Sequence, residues 1–152
     1  MSAAQPRTVR FIEQFGRLAE AEGLPRIAGR MMGLLMVTDG PMSIDALASQ
    51  LKVSRASIST NGRLLRSLRI AERFTEPGDR RDYLQLSGDP CSALLALGVR
   101  RLRTMRDAVR EMRLAFRGRQ GRTRERLQDT EKCYDAAVAR VESLLSSWGH
   151  AL

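Results

Sequence analysis

The chain has 152 residues, 43% hydrophobic and 28% charged, with 26 Lys and Arg against 17 Asp and Glu for a formal net charge of +9. That length fits one domain, or one small domain with a helical extension, and the apolar share excludes wholesale disorder. No apolar run approaches the ~20 residues of a bilayer span, no signal-peptide stretch follows Met1, and 5% aromatic residues leave little for stacking platforms under single strands. Two cysteines, Cys91 and Cys133, cannot build a disulfide framework, so a reducing cytoplasm is the expected setting. His150 is the sole histidine, so neither a histidine-based metal site nor a catalytic one is expected.

The charge is uneven. Residues 1–99 carry a net of +3, residues 100–126 a net of +8 from 11 arginines and three acids, and residues 127–152 a net of −2. Such a basic chain suits a polyanionic partner, nucleic acid above all, although arginine also serves simply to solvate helices.

In chain order, residues 8–22 read as a helix capped by Thr8, with Phe11, Ile12, Phe15, Leu18 and Ala19 on one apolar stripe and Gly23 ending it. Pro25 opens a second helix through Ile27, Met31, Leu34, Leu35 and Met36, nearly uncharged after Arg30 and therefore central to the core. Met31, Met32, Met36 and Met42 are expected as core filling. Residues 43–51 form a short helix capped by Ser43, with Ile44, Leu47 and Leu51 inward. After Lys52-Val53, Ser54 caps a further helix to about Leu68, with Ile58, Gly62, Leu65 and Leu68 facing the core. Two short helices so joined make a helix-turn-helix.

A β-hairpin follows. Its strands are Ile70 to Thr75 and Tyr83 to Ser87, joined by Glu76-Pro77-Gly78-Asp79-Arg80-Arg81, where Pro then Gly suits a type II turn. Asp89 then caps a long helix with Pro90 at its first position. Along it Leu95, Gly98, Leu102, Met105, Val109, Met112 and Phe116 alternate spacings of three and four, a heptad seam. Arg117-Gly118-Arg119-Gln120-Gly121-Arg122 interrupts the seam. A helix restarting at Thr123 repeats it in Leu127, Thr130, Tyr134, Ala137, Val141, Leu144 and Trp148. At ~1.5 Å per residue the first of these helices is about 40 Å long, too long for so small a domain to cover, and a second copy of the chain is its natural cover. Leu95, Leu102, Met105, Val109, Met112, Phe116, Tyr134, Val141, Leu144 and Trp148 are thus the expected dimerisation residues.

The fold class expected is mainly α with a small β-hairpin wing: a winged helix-turn-helix over residues 1–88 and a long helical dimerisation hairpin over 89–152. The second helix of a helix-turn-helix enters the major groove of duplex DNA with its N-terminal half. Ser54, Arg55, Ser57, Ser59, Thr60 and Arg63 are the expected DNA-facing residues there, joined by Asn61, whose side chain could contact DNA or cap the core edge. Arg80 and Arg81 add the basic tip of the wing, with Asp79 expected to orient an arginine. No nucleophile–base pair, metal cluster or phosphate loop is present, so an enzyme is the weakest reading and no cofactor is expected. A protein-interaction module using the heptad helices is the alternative to a DNA-binding regulator.

The order and spacing of four segments resemble the MarR superfamily of bacterial transcriptional regulators, its GbsR-type branch most. They are Leu24-Pro25-Arg26-Ile27-Ala28-Gly29-Arg30 before Leu34-Leu35, Met42-Ser43-Ile44-Asp45-Ala46-Leu47-Ala48, Val53-Ser54-Arg55-Ala56-Ser57-Ile58-Ser59, and Gly78-Asp79-Arg80-Arg81-Asp82-Tyr83. The resemblance spans a little under half of the chain. It implies a winged-helix homodimer held by helices from both chain ends, a pseudo-palindromic operator, repression as the usual role, and in many members release from DNA by a small-molecule effector. Two positions depart from the family pattern: Leu68-Arg69-Ile70 stands where glycine is frequent, and Gly62 where a large apolar residue is usual.

Overall fold

The computed structural model describes residues 4–75, 77–116, 118 and 121–148. Glu76 of the turn, Arg117, Arg119 and Gln120 of the interhelical connection, and His150 lie outside the described residues. The elements are α1 (Ala4–Ala21), α2 (Arg26–Met36), β1 (Met42–Ser43), α3 (Ile44–Leu51), α4 (Arg55–Ser67), β2 (Ala71–Phe74), β3 (Tyr83–Leu86), α5 (Pro90–Ala115) and α6 (Arg122–Trp148). The chain divides into two compact units, Met1–Pro90 and Cys91–Leu152.

The first unit is a winged helix: a helical core with a three-stranded antiparallel sheet in the order β1-β3-β2. Helix α2 runs through the middle and buries Ala28, Gly29, Met31, Met32, Gly33, Leu34 and Leu35. Around it Leu47, Leu51, Ile58, Leu65 and Ile70 are fully buried. Apolar side chains at helical spacing on α3 and α4 thus converge on one helix that carries no charge after Arg30, which fixes the angle at which α4 is presented.

Helix α1 starts earlier than Thr8, so Thr8 lies inside the helix rather than capping it. It ends as the glycine implies. Gly23 takes a φ of 79°, its N–H bonds Glu20 O at 3.0 Å and the Leu24 N–H reaches back to Ala19 O at 2.8 Å, a Schellman closure. Ile12 and Ala19 face the core, while Leu18 of the expected stripe is exposed. Helix α2 packs against α1 through glycine: a Cβ at Gly29 would lie 2.4 Å from Phe15 O and 2.4 Å from the Ala19 Cβ. Glu13 of α1 accepts from Arg26 at 2.9 Å and pairs with Arg30 at 2.7 Å, and the Arg26 guanidinium leads in holding its carboxyl below the usual range. Arg30 also donates to Leu51 O at 3.0 Å, tying α2 to the end of α3. Pro25 occupies the cap position just before α2 instead of its first turn. Met31, Met32 and Met42 are core residues; Met36 is exposed.

Both helix-turn-helix caps form. Ser43 Oγ accepts from Ala46 N and Ser54 Oγ from Ser57 N, each at 3.1 Å. Between them Lys52 closes α3 in the left-handed region at φ 54°, its N–H on Ala48 and Ser49 carbonyls. The strand β1 has no counterpart in the sequence reading; its Met42 pairs with Leu84 and its Ser43 with Tyr83, widening the hairpin to a sheet.

The two departures from the family pattern have physical explanations. Arg69 adopts φ 59°, a backbone state that favours glycine, and the turn is held by Arg69 N on Arg66 O, Ile70 N on Leu65 O and the Ser87 hydroxyl on Arg69 O. At Gly62 an added Cβ would meet Leu84 Cδ1 at 2.7 Å, so β3 lies against α4 where a side chain would otherwise stand.

In the second unit α5 and α6 run antiparallel, joined by ion pairs of Arg103 with Glu142, Arg110 with Glu131 at 2.7 Å, and Arg113 with Glu131. Glu131 is buried, and the Arg113 and Arg110 guanidiniums lower its carboxyl pKa. Val99 and Val138 are buried. Of the heptad residues, Met105, Met112, Leu144 and Trp148 are exposed, whereas Leu95, Leu102, Val109, Tyr134 and Val141 are half-buried. Phe116 lies one residue past α5, half-buried.

Candidate nucleic-acid interface

The outer face of α4 carries small hydroxyls and arginines because its inner face has taken the apolar residues. Arg55, Ser59, Thr60 and Arg63 are exposed and Ser57 is half-buried. The Ser57 hydroxyl lies 3.0 Å from Ser54 Oγ, so these two side chains form a polar pair around the helix start. Ser54 is exposed. Arg55 Nε pairs with Asp45 of α3 at 2.9 Å, while Arg63 leans back towards Thr60 Oγ1 at 3.4 Å. Asn61 does not join the outward set: it is buried, and its amide donates to Ser57 O at 2.8 Å. The bond runs to the carbonyl four residues back, so Asn61 shapes the helix from its core edge.

The wing turns at Pro77 and Gly78, and Gly78 takes φ 86° as the third position of a type II turn requires. Just beyond it Asp79 acts as a latch. Its carboxylate accepts from Arg81 Nε and Nη2 between 2.6 and 3.1 Å, from the Arg81 backbone N–H at 2.9 Å and from the Tyr83 hydroxyl at 2.7 Å. The Arg81 guanidinium also sits 5.5 Å from the Tyr83 ring centroid. The aspartate therefore orients an arginine, as expected from the sequence. Arg80 next to it is exposed.

These bonds, the Arg81 side chain foremost, hold the Asp79 carboxyl far below the usual carboxylate range. A depressed folded-state pKa means that the latch is present above the ordinary aspartate value and is lost only as pH falls through the depressed one. The Arg81 side-chain Nε–H resonance is thus expected to stay unchanged from pH 7 to pH 4 in an NMR titration. A shift in that window would show the latch opening with ordinary aspartate chemistry.

Between α4 and the wing lie two notches that share Ile44, Ser59 and Asp82. One, of about 230 Å³, is walled by Arg63, Arg66 and Arg73 over Gly62 and Leu84. The other, of about 200 Å³, is bordered by Asp45, Arg55, Arg80 and Arg81. Asp82 stands at the junction and pairs with Arg73 of β2. The sequence reading did not include Arg66 and Arg73. Arg66 could have been found as the residue three positions after Arg63 on the same helix face. Arg73 had no such signal, because the tilt of the hairpin decides where it lies. Among the described residues no group of three His, Cys, Asp or Glu side chains could hold a metal ion, and Cys91 and Cys133 are exposed and free.

No protein-family model matches the chain. It is 42% identical over 84 residues to the HTH-type transcriptional regulator MmpR5 of Mycobacterium tuberculosis, covering 55% of this chain and 51% of that protein. It is 28% identical over 87 residues to the putative HTH-type transcriptional regulator YvaV of Bacillus subtilis, covering 57% and 49%. A crystal structure described as a transcriptional regulator superposes with a TM-score of 0.74 at 29% identity, over 95% of this chain and 99% of that one. The chain is similar in sequence and fold to helix-turn-helix transcriptional regulators. It spans about half the length of the curated relatives it matches. No helix among the described residues is long and apolar enough to cross a membrane.

Proposed function

We propose that the chain is a sequence-specific, double-stranded-DNA-binding transcriptional regulator of the MarR superfamily and its GbsR-type branch, acting in the cytoplasm as a repressor. The observation that carries the DNA-binding reading is the pairing of a hydroxyl- and arginine-rich outer face on α4 with a wing whose Arg81 is held in place by Asp79. On this reading residues 1–88 bind DNA and residues 89–152 join two copies, so that paired recognition helices meet a pseudo-palindromic operator. Arg63 or Arg55 reads a base, Ser54, Ser57, Ser59 and Thr60 hold phosphates, and Arg80 and Arg81 touch DNA, one of them by entering or bordering the minor groove, where narrow A·T tracts concentrate negative potential. Asn61 acts indirectly, by shaping the helix. A small-molecule effector that releases DNA belongs to the family resemblance, and no residue here names its chemistry.

The test is selection of duplexes from a random pool by the purified protein, followed by competition binding. Of Arg55→Ala and Arg63→Ala, the one that removes the base-reading arginine is expected to erase roughly 1–3 kcal/mol of discrimination at one base pair, and loss of an arginine on a phosphate to weaken all duplexes alike. Alanine at both Arg80 and Arg81 is expected to weaken selected and random duplexes alike. The arginine-dense stretch of α5 is the competing site. If neutralising Arg100, Arg101 and Arg103 abolished binding while the α4 variants kept their sequence preference, DNA would run along α5 and the assignment of α4 would fall.

The exposed Met105, Met112, Leu144 and Trp148 also suit a protein-interaction module. Such a module would retain no duplex at any salt concentration, whereas a DNA binder loses affinity steeply as salt rises.

A further inference from the structure

We propose that the notch walled by Arg63, Arg66 and Arg73 is a seat for one backbone phosphate of duplex DNA; this rests on the DNA-binding reading above and adds Arg66 and Arg73 to it. Three arginines line this notch from two elements, Arg63 and Arg66 from α4 and Arg73 from β2. Its volume of about 230 Å³ is several times the ~30 Å³ share of a water molecule, so a tetrahedral group fits. Gly62 and Leu84 form its floor, packed so closely that a Cβ at Gly62 would stand 2.7 Å from Leu84 Cδ1.

The donor balance selects the ligand. Three arginines and Ser59 line the notch, and the one carboxylate among its lining residues, Asp82, is already engaged with Arg73. A site of donors with its acceptor occupied suits an anion with several oxygens, and guanidinium geometry matches phosphate oxygens. Arg73 keeps its remaining N–H donors while Asp82 holds one end of the fork, so the ion pair positions the arginine instead of cancelling it. The notch also flanks the second half of α4, whereas base edges are met by the first half of a recognition helix. A phosphate at the edge of the groove is what that half approaches.

The experiment measures binding of a duplex selected by the wild-type protein, and of a random duplex of equal length, across a salt series. The Arg66→Ala, Arg73→Ala double variant is expected to bind both duplexes about tenfold more weakly, with their affinity ratio unchanged. Its slope of log affinity against log salt should fall by about two for the dimer, about one for the phosphate in each half-site. The Arg66→Lys, Arg73→Lys variant should keep the slope. In the selected duplex, one methylphosphonate position per half-site should weaken the wild type and leave the alanine variant unaffected. Both arginines are exposed, and an unchanged circular dichroism melt confirms that the variants fold. An unchanged slope, or a loss confined to the selected duplex, overturns the phosphate seat while leaving DNA binding intact. A wild-type protein that retains no duplex overturns the DNA-binding reading instead.

Discussion

Gly29→Val is expected to lower the thermal unfolding midpoint of the winged unit by roughly 10 °C or more. The first atom of any side chain at this position would stand 2.4 Å from Phe15 O and 3.0 Å from the Gly16 Cα, both backbone atoms of α1. Backbone cannot rotate aside as a side-chain end can, so α1 must shift as a body and loosen its contacts with α2. Overpacking of this kind costs about 1–3 kcal/mol, and each kcal/mol moves the midpoint of a domain this size by about 4–8 °C. Gly88→Ala is the control, since nothing lies within 4 Å of an added Cβ there. A circular dichroism melt would decide the matter. A Gly29→Val midpoint within roughly 3 °C of wild type would mean that α1 slides freely on α2 and that the close approach carries little energy.

The second large effect is expected on assembly. Met105 and Met112 are exposed on α5 by 53% and 51%, and on the proposed reading they are covered by the partner copy. Met105→Glu with Met112→Glu puts four carboxylates into a two-fold interface. At about 2 kcal/mol for each, association weakens by roughly 10⁶-fold. Sedimentation should then report monomers at micromolar concentration, and binding to a two-half-site duplex should fall by a further 10²–10⁴ as the two recognition helices act separately. An unchanged dimer would remove this seam from the interface. These two positions give a cleaner test than Val109, which is half-buried, so that a charge there could also disturb its own helix.

Much of the winged unit was legible because its signals are local. Ser43 and Ser54 announce helix starts by offering a hydroxyl to an N–H two or three residues on, and both do so. Pro77-Gly78 announces the hairpin, and Gly78 supplies the left-handed state its turn needs. The missed features depend on distant partners. A two-residue strand has no period, and Met42–Ser43 is a strand only because β3 arrives beside it. Thr8 looked like a cap because hydroxyls often are, but the chain before it continues the helix. Gly29 and Gly33 gain their meaning only from α1, which lies against both.

The same division holds at the candidate interface. The outward arginines of α4 follow from helical spacing, so Arg55 and Arg63 could be named from the sequence. Asn61 could not be placed, since it sits on the boundary between faces and its burial is set by what packs beside it. Arg73 was invisible because a strand alternates sides, and only the pairing of β2 with β3 fixes which side meets α4.

Three aspartates at this face each hold an arginine: Asp45 with Arg55, Asp79 with Arg81, and Asp82 with Arg73. The face thus carries counter-ions of its own, and its long-range pull on a polyanion is weaker than its arginine content alone implies. For a regulator searching a chromosome this shortens each stop on random sequence, where attraction is almost wholly electrostatic. Roughly 10⁶ or more competing sites dilute any such protein, so what it gives up in grip on all of them it regains as time available for the few that match.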